Sequence, residues 1–250
     1  MIVKSAFRVI QILDLLAERR EGMTVQEISD ALAIPQSSAF NLLNTLFESD
    51  TLTYERAGKM YALGSKAVKW GFSALESIDV AKLGSESIER LRDEVNETVF
   101  MALRSEDHLV YIAKKDSTRS IRTTALLGST KPLYCTGLGK AFLTFMNQEE
   151  KNELLKKMKL ERINQHTITD INQLNQQIVK FHEQGYAIDD EESELGLYCL
   201  AAPIYDYSNE MVAAISVAGP KERMLAQKPF ILKKLLIAAS QISGKMGLRK

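Results

Sequence analysis

Apolar residues in the first part of the chain recur every three or four positions, in blocks separated by turn signals, which is the period of helices with one buried face. In the stretch from Met1 to Leu16, Ala6, Val9, Ile10, Leu13 and Leu16 keep this spacing, interrupted by Arg8, Gln11 and Asp14. An amphipathic first helix is expected there, not a signal peptide. Val25, Ile28 and Leu32 make a second apolar face. Its start is marked by Thr24, whose hydroxyl can cap free amides, with Glu27 three residues on to complete a capping box. Pro35 ends that pattern, because its ring excludes the preceding residue from helical geometry, and places a turn near Ile34. From Ser37 a third helix buries Ala39, Leu42, Leu43 and Leu46. The period then changes: Leu52 to Tyr54 and Met60 to Leu63 alternate like strands, joined through Glu55, Arg56, Ala57, Gly58 and Lys59 as a hairpin. Two short helices, a tight turn and a β-wing make a winged helix-turn-helix.

Downstream, Lys66 to Ser77, with Val68, Phe72, Leu75 and Ile78, reads as a linker helix continuing towards Gly84. Val80, Leu83, Ile88, Leu91 and Val95 begin a second domain with another amphipathic helix. Thr98 to Arg104 and His108 to Lys114 form a hairpin turning at Ser105, Glu106 and Asp107. The segment GSTKPLYCTGLGKAFLTFM passes from glycine-rich loop to apolar helix, with the helix starting near Lys140. Gln148 to Met158 and Ile171 to Gln184 are further helices. Tyr186 to Asp189, Leu197 to Tyr205 and Met211 to Ala218 alternate as strands, and Leu232, Leu235, Leu236, Ala239 and Ile242 mark a closing helix. This order predicts an α+β fold, an antiparallel sheet flanked by helices. The expected organisation is a winged domain over 1–65, a linker helix over 66–83 and a second domain over 84–250.

The outer face of the third helix carries Gln36, Ser37, Ser38, Phe40, Asn41, Asn44 and Thr45. Asn and Gln pair bidentately with adenine, Ser reaches base edges or phosphate, and a helix N-terminus adds free amides and its positive dipole end. This predicts a recognition helix in a major groove of double-stranded DNA, with Arg56 and Lys59 at the wing tip reaching phosphate or the minor groove. The competing reading is a helix pair that packs without touching DNA. Charge qualifies the picture: over residues 1–70, eight Lys and Arg face eight Asp and Glu, whereas phosphate neutralisation supplies most non-specific affinity. One copy should therefore bind weakly, and a homodimer or homotetramer on a palindromic operator would recover affinity through effective concentration.

In the whole chain, 32 basic residues balance 32 acidic ones, which argues against a histone-like or membrane-surface protein. No apolar run approaches the ~20 residues a bilayer requires, so a cytoplasmic protein is expected. Cys135 and Cys199 lie far apart with no CxxC, and His108, His166 and His182 share no ligand spacing, so neither a disulfide framework nor a metal or other cofactor is expected. An enzyme using Cys135 or Cys199 as nucleophile is the rival class. It would need a base near the thiol, and no GxSxG, P-loop or dinucleotide fingerprint is present. A sensor of small molecules that does not bind DNA is a further alternative.

The blocks IPQSSAFNLLNTL, KPLYCTGLGKAFL, HTITDINQL, GYAIDDEESELGLYCLAAPIYD and AAISVAGP stand in the order and spacing of one family. Over essentially its whole length the chain resembles the IclR family of bacterial transcription regulators. The resemblance implies a winged helix, a linker helix and a C-terminal GAF-like effector domain, assembled as dimers or tetramers. Two positions depart from the family pattern: Asn41 stands where Arg is common, and Asp50 where Gly is common.

By that resemblance the effector is a small organic acid held between the glycine-rich loop and the last strands. Gly137 and Leu138 would offer amides to its acid group, Asp189, Cys199 and Ser216 polar side chains, and Leu197 an apolar wall. Ala218 stands where some relatives have a second serine. The physics agrees, since a helix N-terminus favours an anion, and Lys131 at the rim would add charge. YIAKKDS, PLYCTGLGK and TITD are similar to regulators of the 2-keto-3-deoxygluconate pathway, which makes a keto acid the first candidate, with glyoxylate- or pyruvate-like and aromatic acids as alternatives. Simpler readings compete: glycines for close packing, Cys199 as a small buried hydrophobe, and Asp189 to Glu194 as a solvated acidic turn or a Mg²⁺ or Ca²⁺ site. The expected role is repression of a catabolic operon.

Overall fold

The structure, a computed structural model, describes residues 3–19, 21–76 and 79–248. The side chains of Phe72 and Leu75, all of Ile78, and Met1 at the start of the first helix lie outside the described residues. The chain divides into two compact units, Met1–Ile78 and Asp79–Lys250.

The first unit runs α1 (Lys4–Glu18), β1 (Met23–Thr24), α2 (Val25–Leu32), α3 (Gln36–Glu48), β2 (Leu52–Glu55), β3 (Met60–Leu63) and α4 (Ser65–Glu76). The capping box forms: Thr24 Oγ1 accepts from the Glu27 amide at 3.3 Å while Glu27 Oε2 accepts from the Thr24 amide at 2.7 Å. Ala33 takes a left-handed φ of 48°, and Ser29 Oγ donates to Ile34 O at 2.7 Å, closing the turn that delivers Pro35 as the residue before α3. Ile12, Leu16, Ile28, Ala39, Leu43 and Leu46 fill the core, with Leu52 and Tyr61 from the wing, whose strands lie in the order β1-β3-β2. Leu42 is only partly buried.

On α1 the buried stripe is Val9, Ile12, Leu13 and Leu16. Ile10 falls outside it and is exposed, as is Ala6, because the stripe is phased on Ile12, which the expected face omitted. Asp50 adopts φ 58°, the left-handed geometry that glycine supplies without cost and that Asp tolerates better than most residues.

The second unit runs α5 (Val80–Val95), β4 (Thr98–Ser105), β5 (His108–Lys115), β6 (Thr130–Pro132), α6 (Gly137–Phe145), α7 (Gln148–Lys157), α8 (Ile171–Gln184), β7 (Ala187–Asp190), β8 (Leu197–Tyr205), β9 (Met211–Pro220), α9 (Lys221–Ala226) and α10 (Lys228–Lys245). The helix following the wing does not run on to Gly84: Asp79 accepts from the Ala81 and Lys82 amides and caps a new helix, to which Gly84 belongs.

The six strands form one antiparallel sheet in the order β6-β5-β4-β9-β8-β7. Side chains alternate across it. Phe100, Ala102, Cys199, Ala201 and Ala218 face α6 and α8, whereas Met101 faces the other way and meets Gly84 of α5 beside Ile242 of α10. The small residues on the first face let α6 approach closely. A Cβ on Gly139 would lie 2.3 Å from Leu133 Cα, so only glycine fits there. Among the described residues, no helix is long and apolar enough to cross a membrane.

Candidate functional site

Two helix N-termini organise the candidate sites, one in each unit. On α3, no side chain caps the first turn. Ser37, Phe40, Asn41 and Asn44 fall on one stripe by their spacing of three and four, and all four are exposed, as are Gln36 and Thr45; Ser38 is half-buried. Thr45 Oγ1 donates to Asn41 O at 2.9 Å, which leaves its oxygen free to accept. Arg56 and Lys59 sit in the turn between β2 and β3, both exposed, Lys59 with φ 51°.

On α6, Thr136 is the N-cap, so Gly137, Leu138 and Gly139 form the first helical turn and the helix begins three residues before the expected Lys140. Its hydroxyl accepts from the Gly139 amide at 3.1 Å and donates to Pro132 O at 3.0 Å. This turn forms one wall of a cavity of about 70 Å³, several times the ~10–15 Å³ that one water needs. Lys131, Gly137, Leu138, Asp189, Leu197, Cys199 and Ser216, predicted from separate segments, all line it. Sheet register brings them together, since Cys199 lies opposite Asp189 on one side and Ala218 on the other, while Ser216 lies between Ala201 and Phe100. Lys131 is exposed, at the rim.

The cavity has two electrostatic poles. One is the α6 N-terminus with Lys131. The other is Asp189, 1% exposed, whose Oδ1 accepts from the Glu192 amide at 2.8 Å and whose Oδ2 accepts from Ser193 Oγ at 2.5 Å. Burial pushes its carboxyl up to about 6, against the opposing pull of Lys140 and the hydrogen bonds. Between the poles, Ser216 Oγ is buried without a hydrogen-bond partner of normal geometry; it lies beside the Cys199 sulfur. An unsatisfied buried hydroxyl costs about 1–3 kcal/mol, so its place in the wall of a cavity calls for a ligand or water partner.

The simpler readings of these residues hold in part. Gly137 does serve close packing, since a Cβ there would come within 2.6 Å of Cys199 Sγ. Burial holds the Cys135 and Cys199 thiols up at about 12, the reverse of an activated nucleophile. The acidic run is solvated only at Asp190 and Glu194. Glu191 pairs with Lys221, and Glu192, 3% exposed, pairs with Lys140, which is itself wholly buried and bonded to Gln177 Oε1 at 3.1 Å.

Sequence reasoning missed several lining residues. Phe100 and Tyr111 pack ring against ring at 5.1 Å on neighbouring strands, and burial raises the Tyr111 hydroxyl above its usual range. Thr123, Thr124 and Ala125 form a strap that lines the cavity, tied by Thr98 Oγ1 donating to Thr123 O at 3.1 Å. The strap is anchored further by Arg223, which grips the buried Glu97 through two hydrogen bonds and donates to Ile121 O at 2.9 Å. The alternation of β5 could have signalled Tyr111; nothing local marks the strap.

Comparison with known proteins places both units in one family. Residues 5–56 match the IclR helix-turn-helix domain and residues 72–244 match the bacterial transcriptional regulator IclR C-terminal domain. The chain is 31% identical over 246 residues to the HTH-type transcriptional regulator KdgR of Dickeya chrysanthemi, covering 98% of this chain and 80% of that protein. It is 33% identical over 244 residues to the HTH-type transcriptional repressor AllR of Salmonella typhi, covering 97% and 89%. Among solved structures, the repressor BlcR of Agobacterium tumefaciens superposes with a TM-score of 0.86 at 25% identity, covering 99% of both chains.

Proposed function

The chain belongs to the IclR family of bacterial transcriptional regulators, which are DNA-binding proteins and not enzymes, and from that premise we propose that it represses a catabolic operon under the control of a small organic acid. The observation that carries the effector half is the cavity at the α6 N-terminus, where seven residues from five segments converge around the unpartnered Ser216 hydroxyl. In this reading the acid group sits on the Gly137 and Leu138 amides with Lys131 at the rim. Asp189, Ser216 and Cys199 meet the polar remainder, and Leu197 its carbon chain. A keto acid of the 2-keto-3-deoxygluconate kind suits a site with an anion pole at one end and an acceptor at the other.

The DNA half rests on α3 and the wing. Gln36, Ser37, Ser38, Phe40, Asn41, Asn44 and Thr45 would face the major groove, and Arg56 and Lys59 a phosphate or the minor groove. The even charge balance of the winged unit favours a homodimer or homotetramer on a palindromic operator, acting in the cytoplasm. Effector binding would change operator affinity through α4, the helix by which the chain leaves the winged unit.

The test is thermal denaturation with a panel of small organic acids. An acid that binds only the folded state at a hundred times its Kd adds about 2.7 kcal/mol of stability. A raised midpoint with a keto acid, abolished by Gly137→Asp, supports the site; a shift that survives Gly137→Asp overturns it.

A further inference from the structure

The outward stripe of α3 carries a base preference in its chemistry. Phe40, 50% exposed, stands between Ser37 and Asn44, and Gln36 begins the helix; the other exposed ring of the helix, Phe47, packs edge-on against Tyr54 of the wing. Nothing in the core requires Phe40, since Ala39, Leu43 and Leu46 supply the buried face. The helix from Gln36 to Glu48 contains neither Lys nor Arg, the commonest readers of guanine. Its single acidic residue, Glu48, stands at the far C-terminal end, away from the half that enters a groove. What remains on the stripe is Ser37, which does not discriminate between bases, amide side chains, which match the donor and acceptor pair of adenine, and the Phe40 ring, which suits the thymine methyl. Phe40 and Asn44 are one turn apart, about 6 Å along the axis, or roughly two base-pair steps.

Resting on the DNA-binding reading above, we infer that α3 reads a run of A·T pairs about three base pairs long, with Phe40 packed on a thymine methyl and Asn41 and Asn44 on adenine edges. Phe40 is then a specificity-determining residue. Its exposed ring is the cost the free protein carries for that contact, and the amide pairs set register against it.

The test uses the full-length protein to select from a pool of random-sequence duplexes. The enriched duplex is then remade with single thymines replaced by deoxyuridine, which lacks only the methyl group. Half-sites with an A·T core are expected. One uracil substitution should weaken wild-type binding about fourfold, the weight of one buried methyl group, and leave Phe40→Ala unaffected. Phe40→Leu, which keeps an apolar contact, should retain part of the penalty. Replacing the matching adenine by 7-deaza-adenine should weaken the wild type about fivefold or more and spare Asn44→Ala. A G·C core, or an equal uracil penalty in wild type and Phe40→Ala, overturns the inference while leaving DNA binding intact. A changed oligomeric state in Phe40→Ala overturns it in favour of a second copy of the chain as the ring's partner. A pool that enriches no sequence overturns the DNA-binding reading itself, and this inference with it.

Discussion

The N-termini of α3 and α6 are the same physical device in opposite surroundings. Each ends in amides that the helix cannot satisfy and that favour an anion or a hydrogen-bond acceptor. On α3 the first turn has no side-chain cap and the flanking residues are exposed, so the device is open to something large and flat. On α6 the Thr136 hydroxyl takes one amide, residues 137–144 are all buried, and the turn faces a cavity lined by strand residues and the 123–125 strap, so a small molecule fits. Enclosure, more than the helix end, decides what each site accepts. Enclosure also makes the α6 site energetically tense. It holds a buried carboxyl displaced from its usual range and a hydroxyl without a partner, and the helix that walls it carries a buried ion pair, whereas the α3 face holds none of these.

That contrast can be broken most sharply at Lys140. Lys140→Met leaves Glu192 buried and unpaired, and equilibrium urea denaturation should show a loss of about 3–5 kcal/mol in the second unit, largely recovered in Lys140→Met/Glu192→Leu. A loss below about 1 kcal/mol, typical of an exposed pair, would mean the pair is solvated.

Asp189 comes next. Between pH 3.8 and about 6 the folded protein keeps a proton that the unfolded chain has released, so this group makes stability fall as pH rises through that window, by about 3 kcal/mol in all. Asp189→Asn should lack that component, so its stability relative to wild type should rise from acid to neutral pH. Parallel pH profiles would contradict the burial assigned to Asp189.

Gly139→Ala drives a Cβ into the Leu133 backbone and should cost about 1–3 kcal/mol or more by the same denaturation measurement. In the winged unit the largest local device is a cap: Thr24→Ala should cost about 1 kcal/mol. On the open face itself, Gln36→Ala and Asn44→Ala should leave stability within about 0.5 kcal/mol while lowering DNA affinity, and a larger loss would show that the face is packed.

The winged unit was legible because its signals are local. The Thr24 and Glu27 box, Pro35 and the change of period at Leu52 each act within a few residues. Seven of the cavity's lining residues were legible through motif order, although their convergence depends on sheet register that no single segment encodes. What escaped was held by distant partners. Lys140, in the otherwise apolar stretch GLGKAFLTF, stands 52 residues from Glu192, and Arg223 stands 126 from Glu97, so neither pair leaves a periodic trace. The short strands β1 and β6 were likewise too brief to alternate visibly, and the phase of α1 was misjudged because five apolar residues allowed more than one stripe.

Regulation as proposed above is one coupling, in which an acid in the α6 cavity changes what α3 does. The direct measurement is the affinity of the full-length protein for its selected duplex, titrated with the acid that raises its thermal midpoint. The affinity should change, saturating at the concentration where the midpoint saturates, and the change should disappear in Gly137→Asp. An affinity indifferent to saturating acid would contradict that coupling.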